Sequence, residues 1–495
     1  MFRRILVANR GEIAVRIMNT CRDMDIESVA VYSDADEKSL HVIRADRSVC
    51  IGDPRPSESY LNIDKIIKAA LETGAEAIHP GYGFLAENPG LAEACEQNGI
   101  TFIGPPSSVI RDLGDKTVAR RIMLGNGVPV IPGMTGPAKD PGLLEKEAEK
   151  IGYPVMIKAA AGGGGRGMRI VRDPAELGEA ALSASSEAEK AFSSGEIYLE
   201  KYIEEPRHVE FQILGDSHGA VIHLFERECS VQRRHQKIIE ESPSPALDPD
   251  LRERMGRAAL NAASAAGYVN AGTVEFLLDA KGNFYFLEVN TRLQVEHPVT
   301  EMITGLDLVR HQVMIAAGEP LMLKQADVVP RGHALECRIY AEDPEKGFMP
   351  CPGRIDFMKD PSGPGVRVDS GIYSGCTVPV DYDPILSKVI VHSESRECSI
   401  NRMINALRDY PVIGVETPIS FLIDILDSEP FRQGDTCTDF IERVFPDWSP
   451  CNGHDIEACA AYIIRELAGG VKKDTGHEQA RGIPTPWQTL GNWRM

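Results

Sequence analysis

Two acidic residues, Glu275 and Glu288, stand where a short hairpin would bring them face to face. The apolar runs Val274 to Leu278 and Phe284 to Leu287 flank Ala280-Lys281-Gly282-Asn283, a hairpin signal. A turn centred between Lys281 and Gly282 sets Glu275 opposite Glu288 and Thr273 opposite Asn290. Cβ atoms so opposed lie about 4.5–5.5 Å apart, and like charges there repel. A hard divalent cation relieves that repulsion, and magnesium prefers a few carboxylates beside substrate phosphates. One carboxyl kept protonated beside the other is the alternative. A bulge would break this register. The second strand is read as continuing, so that Glu288, Asn290, Arg292, Gln294 and Glu296 share one face and Val289, Leu293 and Val295 the other. As a site, that row offers metal ligands, an anion-binding arginine and a general base. As an exposed edge strand it would be unremarkable.

A second group of residues suits a phosphate. The run Ala161-Gly162-Gly163-Gly164-Gly165-Arg166-Gly167 lies between two strand patterns, with Lys158 at the end of the first. Glycines let backbone N–H groups close on phosphate oxygens, and a lysine adds a point charge. No Gly-Lys-Ser/Thr follows, so this is not a Walker loop; a plain flexible linker is the competing reading. Lys116 after Gly114-Asp115, His208 after Pro206-Arg207, and the basic run Gln232-Arg233-Arg234-His235-Gln236-Lys237 are further cations for an anion site. That run would also serve as a solvated basic face. Arg338 lies in an apolar strand pattern and needs an anionic partner, either Glu336 or a substrate.

The elements that must position these residues alternate along the chain. Ile5–Ala8, Val29–Tyr32, Ala77–Ile78 and Phe102–Ile103 read as strands, with helices from Ile13 and over Leu61–Leu71, which predicts a parallel sheet with helices on its faces. Asn9-Arg10-Gly11-Glu12 occupies a Rossmann-loop position without the Gly-x-Gly-x-x-Gly spacing. His79-Pro80-Gly81-Tyr82-Gly83-Phe84 is a turn at a strand's C-terminal end, where ligands gather in open sheets. Strands at 155–158, 168–171, 197–202 and 209–214 and a helix over 174–192 follow. Strands return at 334–340, 354–358, 366–368 and 388–391, then a helix at 400–407. Asp455 is read as capping a helix through Leu467, and Trp487 and Trp493 as docking anchors in a polar tail.

The 495 residues favour several domains. A formal charge of −20 argues against general nucleic-acid or acidic-membrane binding. The eleven cysteines include no Cys-x-x-Cys, so no zinc or redox signature appears, and single thiols such as Cys229 and Cys337 read as core. That usage suggests a reducing, cytoplasmic setting. The apolar run at Ile5 is too short for a signal or a membrane span.

Taken in order, these motifs resemble the biotin carboxylases, the ATP-grasp component of biotin-dependent carboxylases. The resemblance runs over about residues 1–447. It includes Asn9 to Ala14, His79 to Phe84, Gly114-Asp115-Lys116, Lys158 with its glycines, Glu200-Lys201-Tyr202-Ile203, Pro206 to Glu210, Gln232 to Lys237, and Glu288 through Glu301. It implies an α/β, α+β architecture: a Rossmann-like domain over 1–114 and an ATP-grasp domain over 115–330 with a glycine-rich lid at about 131–203. A mixed, β-rich domain over 331–447 and an extension over 448–495 complete it. It also implies that Lys116, Lys158, Gly163, Gly164, Gly165, Glu200, Lys201, Tyr202, Ile203, His208, Gln232 and His235 hold ATP. Glu275, Glu288 and Asn290 would ligate two Mg2+ (or Mn2+) ions. Lys237, Arg292 and the Val295 backbone would hold bicarbonate, Glu296 would take its proton, and Arg338 would stabilise the biotin enolate.

No lysine lies between two methionines, and no carboxyltransferase-sized region remains. The expected partners are therefore a biotin carboxyl carrier protein and a carboxyltransferase subunit, with a homodimer implied by the resemblance. The ending Pro484 to Arg494 and the segment Asp381 to Lys388 resemble acyl-CoA carboxylase α-chains, which favours an acyl-CoA carboxylase over a pyruvate carboxylase. Another ATP-grasp ligase would share the glycine flap and acidic pair; a non-catalytic carrier scaffold would have no need of opposed carboxylates.

Overall fold

The computed structural model describes residues 1–134, 136–138, 140–159, 168–192 and 195–450, with 460 and 464. The first body is the expected parallel sheet. Its five strands run in the order Arg47–Gly52, Glu27–Ser33, Arg4–Val7, Ala77–His79, Thr101–Phe102, all parallel. Ile5, Leu6, Val7, Val29, Ala30 and Val31 are buried because helices cover both faces. The strand order reverses between Arg4–Val7 and Ala77–His79. Their C-terminal ends are tied there by Asn9, whose Nδ2 donates to the carbonyls of Pro80 (2.7 Å) and Tyr82 (2.6 Å). Such a reversal opens a crevice in which ligands bind.

A three-stranded antiparallel sheet follows, with Val155–Ala159 between Arg169–Val171 and Ile197–Lys201. Helices Pro141–Ile151 and Leu177–Phe192 close it around a core of its own, including Leu144, Ala148, Ile157, Val171 and Leu199. The glycine run joins its first two strands and lies outside the described residues.

The third sheet holds eight antiparallel strands, in the order Phe284–Asn290, Asn270–Leu278, Arg207–Gly215, Val221–Arg233, Gln236–Ser242, His333–Tyr340, Ile385–Ser393, Val366–Ser370. It is continuous across the boundary expected near residue 330. Helix Pro249–Ala265 packs on one end, burying Met255, Ala259 and Ala262 against Phe211 and Phe276. Helices Arg396–Arg408 and Ile419–Asp427 cover the other. Phe276 meets Phe211 and Phe284 edge-on at 6.4 and 5.5 Å. Burying one such ring stabilises by roughly 1.5–3 kcal/mol, and here it pins the strand that carries Glu275.

Two expected strands take another form. Residues 354–358 are two fragments, Gly353–Arg354 and Phe357–Met358, paired with Thr377–Val378 and Val412–Ile413, because Ile355 turns into the core between them. The run from Glu288 leaves the sheet after Asn290 and turns into helix His297–Thr304. The tail helix expected from Asp455 falls outside the described residues except for Ala460 and Ile464, both helical, and Trp487 and Trp493 lie outside them too. Among the described residues no helix is long and apolar enough to cross a membrane.

Candidate active site

The acidic pair forms as predicted, but by two offsetting departures. Asp279 organises the turn, its Oδ1 accepting from the backbone of Lys281 (2.8 Å) and Asn283 (2.9 Å), with Gly282 at φ 77°. This sets Leu278 opposite Phe284 and Phe276 opposite Phe286, one step short of the expected register. A bulge at Leu287 then adds one residue, restoring Glu275 opposite Glu288 and Thr273 opposite Asn290.

The two carboxylates have different surroundings. Glu275 is buried, and its Oε1 accepts from Lys237 Nζ (2.8 Å), Asn290 Nδ2 (2.9 Å) and Gln294 Nε2 (3.2 Å). His208 Nε2 lies 2.9 Å from its Oε2. Burial pushes its pKa up, but Lys237 and His208 outweigh this and hold it well below the usual carboxylate range. The Glu288 side chain is 41% exposed, with Lys116 Nζ 3.8 Å away. Partial burial and then the Glu275 charge raise its pKa.

Lys237 is the hub. Its ammonium lies 2.7 Å from Glu210, 2.8 Å from Glu275 and 2.8 Å from Glu296. Burial disfavours the charge, but the three carboxylates raise its pKa well above the ordinary lysine value. Glu296 stands at the N-terminal boundary of helix His297–Thr304, makes no capping bond to it, and is fully buried. One of its oxygens accepts from Lys237 and the other from Arg338 (3.0 Å). Burial again works against ionisation, yet Lys237 and Arg338 hold the acid well below its usual range. Arg338 also donates to Glu240 at 2.6 Å. Its protein partners are thus Glu240 and Glu296, not Glu336, the protein candidate of the two alternatives the sequence left open. Arg292 donates to Glu87 (3.0 Å), Gln294 (3.0 Å) and Asn290 (3.2 Å).

The structure thus brings Glu275, Glu288, Asn290, Arg292, Glu296, Lys237, His208 and Arg338 together, although residues 291–296 are a turn and not a strand. Side chains from a turn can converge more closely than those of an extended row, which stand two residues apart along one face. The basic run splits because it is a hairpin tip: Arg234 and His235 occupy the turn, at φ 49° and 68°, and are exposed. Gln232 pairs in register with Lys237 and faces inward, its Nε2 2.8 Å from His208 Nδ1, while Arg233 binds Glu342 at 2.7 Å. Lys158 and Glu200 meet at 2.5 Å on the small sheet. The Lys201 ammonium turns away to the carbonyls of Gly152 (2.9 Å) and Tyr153 (2.8 Å), and its backbone N–H donates to the Pro132 carbonyl at 2.7 Å. Arg172 covers the Tyr202 ring at 5.6 Å, with Ile203 half-buried beyond it. Gly163, Gly164 and Gly165 lie outside the described residues.

Sequence reasoning missed Glu210, Glu240 and Glu87. Glu210 and Glu240 sit among apolar strand residues, and each fully buried acid needs a cationic partner, which is a usable signal. Glu87 lies just beyond the turn that begins at His79, and nothing local marks it.

The donor set fits a hard divalent ion: two carboxylates from opposed strands, one reaching solvent, beside the Asn290 amide. Two tighter clusters, His208–Glu210–Glu275 and Glu210–Cys229–Glu296, also have metal-like spacing. Lys237 bonds to a carboxylate in each and already supplies the positive charge.

Comparison with known proteins places this geometry. Residues 1–110 match the family description "Biotin carboxylase, N-terminal domain", 115–324 match "Carbamoyl-phosphate synthase L chain, ATP binding domain", and 336–443 match "Biotin carboxylase C-terminal domain". The chain is 55% identical over 443 residues to a pyruvate carboxylase subunit of Methanothermobacter thermautotrophicus, covering 90% of each chain. It is 54% identical over 449 residues to a biotin carboxylase of a Nostoc species, covering 90% of this chain and 99% of that one. The biotin carboxylase domain of Hydrogenobacter thermophilus 2-oxoglutarate carboxylase, solved with MgADP, ADP and bicarbonate, superposes with a TM-score of 0.85 at 49% identity, over 91% of this chain and 99% of that one. Fold and site together define a ligase of the ATP-grasp class, with a small three-stranded sheet and an acidic pair on a large antiparallel one. More narrowly, the chain belongs to the biotin carboxylase family.

Proposed function

We propose that this chain carboxylates biotin on a separate carrier protein, with ATP and bicarbonate, as the biotin carboxylase subunit of an acyl-CoA carboxylase built from several chains. The observation that carries the reaction is Glu296, buried but ionised between Lys237 and Arg338, beside the Glu275–Glu288 pair. Bicarbonate is an anion with one proton to lose. When it enters beside Lys237, Arg292 and the Val295 N–H, it takes a share of the cations that hold Glu296 ionised. The proton affinity of Glu296 then rises as its work begins. Deprotonated bicarbonate attacks the γ-phosphate of ATP, forming carboxyphosphate and releasing ADP; carboxyphosphate then gives up its CO2 to N1 of biotin, and the departing phosphate takes the N1 proton. Arg338 faces the developing enolate oxygen with a cation that cannot lose its proton.

Lys116, Lys158, the glycines 163–165, Glu200 to Ile203, His208, Gln232 and His235 hold the nucleotide in this reading, His235 from its exposed turn and Lys201 through its backbone carbonyl. Two Mg2+ or Mn2+ ions, when bound, would neutralise phosphate charge. Glu275, Glu288 and Asn290 hold them. Domain limits near 114, 330 and 447, with 131–203 as a lid that excludes water from carboxyphosphate, belong to the same proposal. So do a homodimer and a cytoplasmic setting, the latter supported by nine free cysteines among the described residues. The test is ATP hydrolysis with bicarbonate, with and without free biotin. Absence of biotin stimulation would sink the assignment.

The acyl-CoA acceptor rests on the Asp381–Lys388 and Pro484–Arg494 segments. A 2-oxo acid acceptor is the second reading, favoured by the identity to a pyruvate carboxylase subunit. Co-purification from the native host, followed by assay of the recovered complex with acetyl-CoA and with pyruvate, separates the two and shows whether carrier and carboxyltransferase are separate chains.

A further inference from the structure

Lys388 is a fully buried cation that the reaction just described does not use. It lies on the strand Ile385–Ser393. Its ammonium is 3.2 Å from Glu12 Oε2 and 3.7 Å from Asp369 Oδ2, and it donates to the Val295 carbonyl at 2.9 Å. The Tyr82 ring centroid lies 5.9 Å away. The carboxyl of Glu336, on the neighbouring strand, and the Arg367 guanidinium act on it as well. Asp369 is already held by Arg367, with both contacts at 2.8 Å, and neither Glu336 oxygen has a hydrogen-bond partner. Glu12 is the nearest carboxylate to Lys388, through an ion-pair contact of its Oε2, while its Oε1 accepts from the Tyr82 hydroxyl.

A buried ion pair is costly and contributes little net stability, so its position asks for a reason. The Val295 carbonyl and the Glu296 N–H belong to one peptide plane, and Lys388 holds that plane by its carbonyl. The next Cα carries the carboxylate that bridges Lys237 and Arg338. Residues 291–296 have no sheet partner of their own to set their direction.

We propose that Lys388 is a positioning residue for Glu296: it clamps the Val295 carbonyl so that the peptide bearing the acid keeps one orientation, and Glu12 anchors the clamp. The proposal rests on the reading of Glu296 as the base. Glu12 belongs to helix Gly11–Asp23 of the first body, so the clamp ties two parts of the fold to the reacting turn.

The test uses the full chain and three variants. Glu12→Gln alone keeps the Lys388 donor but strips its nearest counter-charge, so it should lower kcat, by less than the methionine double variant does. Lys388→Met with Glu12→Gln removes both charges, so no lone buried ion remains. It should lose about tenfold or more in kcat and raise the bicarbonate KM, while the ATP KM stays within about twofold, because only one substrate's partner is displaced. Lys388→Gln with Glu12→Gln keeps a donor and should recover part of the lost turnover. Wild-type kcat and bicarbonate KM in the methionine variant would overturn the proposal. So would parallel rises in both KM values, no recovery with glutamine, or loss of the cooperative thermal transition, which would assign Lys388 to the fold alone. An active Glu296→Gln enzyme would instead remove the base reading, whatever the position 388 variants do.

Discussion

Glu296 shows how a buried acid can be kept ready. Its charge is sustained by Lys237 and Arg338 against the cost of burial, so it is ionised before substrate arrives. Glu296→Gln should lower bicarbonate-dependent ATP turnover by about 10²–10⁴-fold while ATP binding, followed by calorimetry, persists. Unchanged turnover would remove Glu296 as the base. Glu275→Gln and Glu288→Gln should each cut ATPase activity sharply and raise the Mg2+ requirement while the chain still unfolds cooperatively; wild-type rates in both would refute the metal assignment. Glu288 adds a pH dependence. Its pKa is raised above 4.5 by burial and then by Glu275. Protons therefore compete with Mg2+ at a higher pH than at an ordinary glutamate, and apparent Mg2+ affinity should weaken on acidification sooner than simple carboxylate titration predicts. Flat affinity down to pH 4.5 would contradict this. The pairing of Glu275 with Glu288 was legible because turn chemistry and alternation both bear on it. The partners of Arg338 were not, since Glu240 and Glu296 are 98 and 42 residues away.

Elements decide whether such residues arrive. Asp115 caps helix Lys116–Gly125, accepting from Thr117 N (2.8 Å) and Val118 N (3.0 Å), and so sets the direction of Lys116 toward Glu288. Asp115→Ala should cost about 1 kcal/mol of stability and raise the ATP KM. A lower Tm with an unaltered KM would separate the cap from the site. Four of the five parallel strands of the first body, and its helices Gly11–Asp23 and Ile63–Thr73, were readable because apolar periodicity survives there; the largely exposed edge strand Arg47–Gly52 and the helix Pro89–Gln97 were not. The strand Val221–Arg233 was not. It buries Glu226, Arg227, Glu228, Ser230 and Gln232, so its alternation is polar on both sides. Its turn, Arg234-His235, adopts positive φ without glycine or asparagine to signal it. The extended row after Asn290 failed for a different reason: a run of mixed polar residues does not reveal where a chain leaves a sheet.

Across the molecule, ionised partners make stability fall with acid. His333 and Arg396 outweigh burial and hold Glu241 at about 2, below the 4.5 of a free glutamate. That contribution is complete above 4.5 and is lost as pH falls toward 2. His41 and His79, buried and neutral, are lowered by burial to about 4 and about 3. The unfolded chain takes up those protons first, so their part is lost as pH falls from 6.5. Tm should thus decline below pH 6.5 and more steeply below 4.5. Arg396→Met should cost on the order of 3 kcal/mol at neutral pH and flatten the steep limb, because Arg396 joins Glu241 on the central sheet to the carbonyls of Phe431 and Arg432. An unchanged acid profile would show that this pair does not drive the acid response.

Local chemistry settled much from the chain alone: the parallel sheet, the facing acids, the glycine run between two strands and the candidate anion site are each written within a few dozen residues, because turns, periodicity and charge repulsion act at short range. Which carboxylates surround Lys237, that Glu87 reaches Arg292 and that Lys388 grips Val295 was settled by folding. Those contacts span residues far apart in sequence, and a buried charge takes its partner from whatever strand the sheet order places beside it.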